Sequence, residues 1–304
     1  MTIKHPLLIA GIFCVTITAN AQAIKYKDIM FDGVKTTKDL SYDGSDSTGK
    51  NKAHLFDLYQ PAGDETTNRP LIIWMHGGGF KFGSKADKSA EIWSKTFAQR
   101  GYVCVSINYT LSKKLPFLNF DELKRSCYYA VLDAKKAVAY FKQHAAEYHI
   151  NSDKIILAGN SAGGMIALQT AFATNAELAK FAGVPEVDAG NVGLSKVEGV
   201  INLWGSIFKL NWLKNANVPV VSIYGSTDSV VPPTHKDTSL YGAKDVYEKA
   251  KGLGIPTEVK VFEGYSHELR KHFNPIFSSD KGTQQRWLEA GQFAADFLYT
   301  NLFK

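Results

Sequence analysis

The chain has 304 residues, of which 45% are hydrophobic and 21% charged, with 25 glycines and 10 prolines. That length exceeds an average domain yet fits one α/β enzyme, and the composition excludes collagen-like, low-complexity and disordered classes. The net charge of +6 is scattered, with no run of five basic residues, so it reads as a solvated surface and gives no footprint for nucleic acid.

Lys4, the almost wholly apolar residues 6–17 and Ala19-Asn20-Ala21-Gln22-Ala23 follow one another at the start. They read as the n-region, h-region and A-x-A cleavage options of a secretory signal, with cuts after Ala21 or Ala23. The apolar stretch is too short for a bilayer core, which needs about 20 residues. The expectation is a signal peptide over 1–23, an exported chain over 24–304 and no membrane span. Cys14 lacks the small residues that a lipid anchor needs before it. Cys104 and Cys127 then remain. They could pair in an oxidising compartment, but two buried free thiols are expected, and neither has CxxC spacing.

A first strand is expected at 26–31 or 39–42, then a polar turn over 43–50 and a strand over 54–60. The turn lacks the carboxylate that an EF-hand loop requires at its twelfth position. Residues 71–75 (Leu-Ile-Ile-Trp-Met) are continuously apolar, which suits a strand buried on both faces. A helix over 90–100, a strand over 103–108 and an amphipathic helix over 121–148 come next. Leu123, Cys127, Ala130, Val131, Ala134, Val138 and Phe141 recur on one face of that helix. Further strands are expected at 155–158, 197–204, 218–224 and 258–262, and helices at 165–176, 241–252 and 284–302. This alternation implies right-handed βαβ crossovers in one mostly parallel sheet of about eight strands, with helices on both faces. No linker or repeat divides it into further domains.

The chemistry lies at strand ends. Residues 155–158 lead into Gly159-Asn160-Ser161-Ala162-Gly163-Gly164, and a helix follows. This is G-x-S-x-G in a strand–turn–helix setting. A nucleophilic serine needs a sharp turn that lifts its hydroxyl off the sheet, with small residues two positions to either side. The following helix N-terminus favours negative charge, and the Ala162 amide can point at an oxyanion. A chance Gly/Ser turn is the alternative, and the buried strand before it argues against that.

His76-Gly77-Gly78-Gly79-Phe80 ends the strand at 71–75. Consecutive glycines let backbone N–H groups approach a ligand with no Cβ in the way, so Gly78 and Gly79 are expected to supply the other half of an oxyanion hole. A phosphate-cradling loop would end in Gly-Lys-Ser/Thr, whereas Phe80-Lys81-Phe82 stands here. His76 is expected to orient the loop.

HGGGF about 80 residues before GNSAGG resembles the α/β-hydrolase fold, in its esterase/lipase branch akin to hormone-sensitive lipases and carboxylesterases. The resemblance covers essentially the whole chain after residue 23. It implies a triad in the order Ser, acid, His. Ser161 is then the nucleophile. Asp228 follows the strand at 218–224 and fills the acid place, with Asp237 in reserve. His267, in Glu263-Gly264-Tyr265-Ser266-His267 after the last strand, fills the histidine place. His54, His144, His149, His235 and His272 read as surface or satisfied histidines.

The sequence departs from that family in places. Asn160 replaces an aspartate common before the serine, and residues 24–57 read as strand and turn rather than a longer cap. Only about 13 residues join the strands at 197–204 and 218–224, where many relatives insert a helical lid. An open site is expected, partly walled by Trp204, Phe208 and Trp212, with Trp204 and Phe208 as substrate-binding candidates and plain packing as the alternative. The expected function is a secreted serine ester hydrolase acting on short-chain acyl or polysaccharide-linked acetyl or feruloyl esters. No cofactor, metal or nucleic-acid partner is implied, and nothing in the sequence speaks to oligomeric state. An arylformamidase, peptidase or polyester depolymerase on the same triad, and a non-catalytic binding protein of the same fold, remain as alternatives.

Overall fold

Residues 71–75 are flanked by partners on both edges and covered on both faces, and the rest of the fold is arranged around them. The computed structural model describes residue 1 and residues 23–43, 52–187, 196–235, 240–272, 274 and 279–304. Residues 2–22 of the expected signal, residues 44–50 of the expected turn and the reserve acid Asp237 lie outside the described residues.

Eight strands form one sheet: β1 (Val34–Ser41), β2 (Leu55–Pro61), β3 (Arg69–Met75), β4 (Val103–Ile107), β5 (Ile150–Asn160), β6 (Gly199–Leu203), β7 (Val220–Gly225) and β8 (Thr257–Phe262). Their spatial order is β1-β2-β4-β3-β5-β6-β7-β8. The β1–β2 and β2–β4 pairs are antiparallel and every other pair is parallel. The helices are α1 (Lys88–Ala98), α2 (Phe120–Gln143), α3 (Ala162–Phe172), α4 (Asn175–Ala182), α5 (Ala243–Gly252) and α6 (Lys281–Leu298).

Alternation along β3 divides the core into two layers. Leu71, Ile73 and Met75 pack with Cys127, Val131 and Ala134 of α2 and with Ile166 of α3. Ile72 and Trp74 face Trp93 and Phe97 of α1 and Ala294 and Leu298 of α6 on the other side. Truncating Leu71, Ile72, Ile73 or Met75 to alanine would cost about 2–5 kcal/mol, because neighbours on a two-sided sheet close a cavity poorly. Cys104 belongs to one layer and Cys127 to the other. Both are buried free thiols, and burial pushes the Cys127 thiol up to about 12. Among the described residues, no helix is long and apolar enough to cross a membrane.

Some elements differ from expectation. The first strand is Val34–Ser41. Residues 26–31 instead tie down the end of α1, through Tyr26 N–H to the Arg100 carbonyl (2.9 Å) and Met30 N–H to that of Gln99 (2.9 Å). The long helix stops at Gln143, and β5 begins at Ile150, much earlier than its apolar run. Register with Arg69 of β3 extends that strand through polar residues that show no alternation. A further helix, α4, opens with a capping box in which Thr174 and Glu177 bond each other's backbone N–H. That T-x-x-E signature stood in the sequence.

His54 is buried, with Nδ1 against Asp43 and Nε2 2.9 Å from Asp133 of α2. Asp133 also accepts the Thr110 N–H (2.8 Å), so this histidine joins the start of β2 to α2 and to the chain leaving β4. The bond to Asp133, assisted by Asp43, holds His54 above its ordinary value, although burial pulls the other way. A base with a higher pKa folded than unfolded stabilises fully below the unfolded value near 6.5 and loses that contribution as pH rises through the folded one. His54→Asn should therefore lower Tm more at about pH 5.5 than at about pH 9. Equal deficits in thermal melts at both would contradict this account.

Candidate active site

β5 ends at Asn160, α3 begins at Ala162, and Ser161 forms the corner between them. Its φ of 55° and ψ of −118° are unfavourable for a residue with a Cβ and cost on the order of 1–3 kcal/mol. The corner is pinned on both sides. Ser161 N–H donates to the Leu203 carbonyl of β6 (2.9 Å), and its own carbonyl accepts Met165 N–H (3.0 Å). The glycines on either side are required by contact rather than by flexibility. A Cβ on Gly159 would lie 2.3 Å from the Gly163 carbonyl carbon, and one on Gly163 would lie 2.0 Å from the Met75 oxygen.

Asp228 and His267 converge on that serine from the loops after β7 and β8. His267 Nδ1 lies 2.7 Å from Asp228 Oδ2, and Nε2 lies 2.9 Å from Ser161 Oγ. A carboxylate only accepts, so Nδ1–H donates to Asp228 and the bare Nε2 accepts the serine hydroxyl proton. Asp228 Oδ1 accepts the N–H groups of Val230 (2.9 Å) and Val231 (3.0 Å), which fixes the carboxylate plane. Both side chains are buried.

The histidine loop is held from beneath by groups the sequence reading did not single out. Trp287 Nε1–H donates to the Glu268 carbonyl (2.8 Å) and Arg286 Nε–H to that of Leu269 (2.7 Å). Glu268 and Leu269 both take positive φ, 58° and 57°. Trp93 Nε1–H donates to the Trp287 carbonyl (2.8 Å), and its ring packs against Trp204, which in turn meets His267 edge-on at 6.4 Å. At Gly225 a Cβ would lie 2.2 Å from the Tyr265 oxygen, so the end of β7 passes directly beneath this loop.

The glycine loop after β3 borders the serine. Gly78, Gly79 and Phe80 have φ of 103°, 60° and 61°. The Gly78 carbonyl accepts Lys81 N–H (3.1 Å) and Phe82 N–H (3.0 Å) within the turn. His76 is buried and stacked on Tyr109 at 4.3 Å, and its Nδ1–H donates to the Gly77 carbonyl (2.7 Å). Burial depresses it to about 4, so it is neutral near pH 7 and braces the loop. The Tyr109 hydroxyl donates to the His76 carbonyl (2.8 Å). Ala162 is the first residue of α3, where an amide has no intrahelical acceptor.

Trp204 and Phe208 do not wall an open pocket, contrary to expectation, for their exposures are 1% and 0%. Phe208 lies beneath Phe120 and beside Phe181, and Trp212 is buried with them. Exposed aromatics stand instead on the glycine loop, Phe82, and on the segment between β4 and α2, Phe117. Two clefts of about 820 and 550 Å³ flank the Asp228 loop, and Ser161 lines neither. Among the described residues, no group of three or more His, Cys, Asp or Glu side chains converges as metal ligands.

The mostly parallel sheet with a serine corner at the tip of β5 is the architecture of an α/β hydrolase. More particularly, a family model described as BD-FAE matches residues 56–207, half of the chain, and the chain belongs to that family. A probable carboxylic ester hydrolase, LipM, of Mycobacterium tuberculosis is 29% identical over 140 residues, covering 45% of this chain and 30% of the relative. An acetyl esterase of Salmonella schwarzengrund is 33% identical over 114 residues, covering 38% and 31%. The match thus spans about a third of the length of these curated relatives. Thermogutta terrifontis esterase 2 phosphorylated by paraoxon superposes with a TM-score of 0.62 at 23% identity, over 92% of this chain and 98% of that one. Its propionate-bound form gives 0.61 at 22%, over 90% and 96%. At these identities the likeness shows the fold.

Gly163→Ala should destabilise the protein by about 1–3 kcal/mol or more, because backbone must shift to admit the methyl group. Gly252, at the end of α5, would meet nothing within 4 Å. Gly252→Ala should be neutral or stabilise by up to about 1 kcal/mol. Urea unfolding of the two variants checks this, and equal losses would contradict it.

Proposed function

We propose that this protein is a serine carboxylic ester hydrolase in which Ser161, His267 and Asp228 act as nucleophile, base and acid. The observation that carries the reading is the unbroken chain from Ser161 Oγ through His267 to Asp228 Oδ2, at 2.9 and 2.7 Å. In the proposed cycle, Ser161 Oγ attacks the ester carbonyl carbon while His267 Nε2 takes its proton. The amides of Gly78, Gly79 and Ala162 receive the oxyanion. Each such donor is worth about 10²–10³ in rate. His267 then hands the proton to the leaving alcohol oxygen. It next takes one from water, whose oxygen attacks the acyl carbon, and returns that proton to Ser161 Oγ as the Oγ–acyl bond breaks, which releases the acid and restores the serine. Asp228 keeps the imidazole in the Nδ1–H tautomer and stabilises its protonated form.

Short acyl groups, or acetyl and feruloyl decorations on a polysaccharide, are the proposed substrates. The acetyl esterase relative supports a short acyl group. On the leaving-group side, the cleft of about 550 Å³ beside His267 carries Thr227, Ser229, Ser266, Lys271 and His272, which suits a hydroxylated alcohol. Residues 1–23 are proposed as a secretory signal that exports the enzyme to such substrates.

Hydrolysis of p-nitrophenyl esters from acetate to dodecanoate tests the reading. Turnover should peak at short chains. Ser161→Ala and Asp228→Asn should each lower kcat by about 10⁴-fold or more. A folded wild type without turnover on any ester, or a fully active Ser161→Ala, would contradict it.

A further inference from the structure

The tips of the parallel strands lie in a row fixed by the sheet order β4-β3-β5-β6-β7-β8. The glycine loop follows β3, Ser161 follows β5, and Asp228 and His267 follow β7 and β8. The leaving oxygen must reach His267 Nε2, so the alcohol lies toward β7 and β8. The acyl group then extends the other way, past the glycine loop toward β4.

The chain leaving β4 crosses this end. Residues 111–119 include the short 3₁₀ turn Pro116–Leu118 and run into Phe120, the first residue of α2. Their base is clamped to the glycine loop from both sides. Ser112 N–H donates to the Phe80 carbonyl (2.8 Å), and Lys81 Nζ donates to the carbonyls of Ser112 (3.2 Å) and Lys113 (2.8 Å). Ser112 Oγ–H in turn bonds Glu122 of α2 (2.6 Å). The far end is apolar and exposed, with Phe117 at 56% and Leu118 at 74%, and Phe82 of the glycine loop is exposed too, at 58%. Phe117 Cδ1 lies 3.4 Å from where a Cβ on Gly79 would stand, so its ring covers the outer side of that glycine. Phe120 rests on Phe208 below and gives the strap a rigid floor.

We propose that this strap is the acyl-binding surface, with Phe117 as the residue that sets acyl preference by covering the carbons beyond the α-carbon. The proposal rests on the esterase reading and deepens it. Exposed apolar side chains clamped to a candidate oxyanion loop gain contact when an acyl chain lies along them, and acetyl is too short to reach them. Lys81 and Glu122 hold the strap in place as positioning residues through its backbone and Ser112.

The experiment measures kcat and KM for p-nitrophenyl acetate, propionate, butyrate and hexanoate, all below their aggregation concentrations, in wild type, Phe117→Ala, Phe117→Leu and Leu118→Ala. In wild type, kcat/KM should rise roughly two- to fourfold per methylene from acetate to butyrate, as partial burial of each added CH₂ predicts. Phe117→Ala should flatten that slope, with the loss in KM for the longer esters, Leu118→Ala should flatten it partly, and Phe117→Leu should retain it. A general structural defect would lower all esters alike and leave the slope unchanged. Parallel slopes in wild type and Phe117→Ala would overturn the proposal while leaving the esterase reading intact. So would a change in oligomeric mass with an unaltered slope, which would make the strap a contact between copies. Sensitivity to the alcohol at fixed acetyl, in place of the acyl chain, would also overturn it. A wild type inactive on every ester would defeat the esterase reading itself.

Discussion

At Gly163 the first turn of α3 runs against the Met75 carbonyl at the end of β3, with no room for a methyl group. The same glycine packs against Gly159 across the corner, so one backbone contact locks the serine turn to the strand that carries the glycine loop. Ser161 is left with a positive φ that only its surroundings can hold, and Leu203 of β6 secures it by accepting its N–H. The proposed nucleophile and the candidate oxyanion donors are thereby placed by packed backbone rather than by side-chain rotamers. Such preorganisation is what electrostatic stabilisation of a transition state needs, since donors already in place cost nothing to reorganise.

The histidine side is built differently. Its loop carries two consecutive residues with positive φ and is braced by Trp287 and Arg286 of α6. Trp93 of α1 bonds Trp287 in turn, and its ring meets Trp204, which reaches His267. A core of indoles therefore does for His267 what glycine contacts do for Ser161. The side chains of the two halves meet in the 2.9 Å contact between Nε2 and Oγ. Displacement of either half by about 1 Å would weaken catalysis without removing any catalytic group.

Most of the framework was legible from residues 71–75 and 155–158, because a strand buried on both faces shows as a continuous apolar run. The two motifs at the ends of these strands pointed to Ser161 and the glycine loop, and the family resemblance, with its order of Ser, acid and His, pointed to Asp228 and His267 on the loops after the last strands. Properties set by long-range packing were not legible. The aromatic residues Trp204 and Phe208 looked like pocket walls because composition does not reveal which side of a layer a ring occupies, and both are buried. An exposed aromatic, Phe117, instead comes from a stretch that carries no motif, and the fold brings it beside Gly79. His54 reads from sequence as a surface or satisfied histidine; it is the satisfied kind, buried against Asp133, a partner 79 positions away.

The central claim is that the strained corner makes Ser161 a nucleophile activated by His267. Its most direct test is covalent trapping with paraoxon, read by intact mass and peptide mapping, since labelling needs an activated hydroxyl and no knowledge of the substrate. The account predicts a single diethylphosphoryl group on Ser161 in the wild type and none in folded Ser161→Ala. A folded wild type that remains unlabelled, or a variant that labels equally well elsewhere, would contradict it.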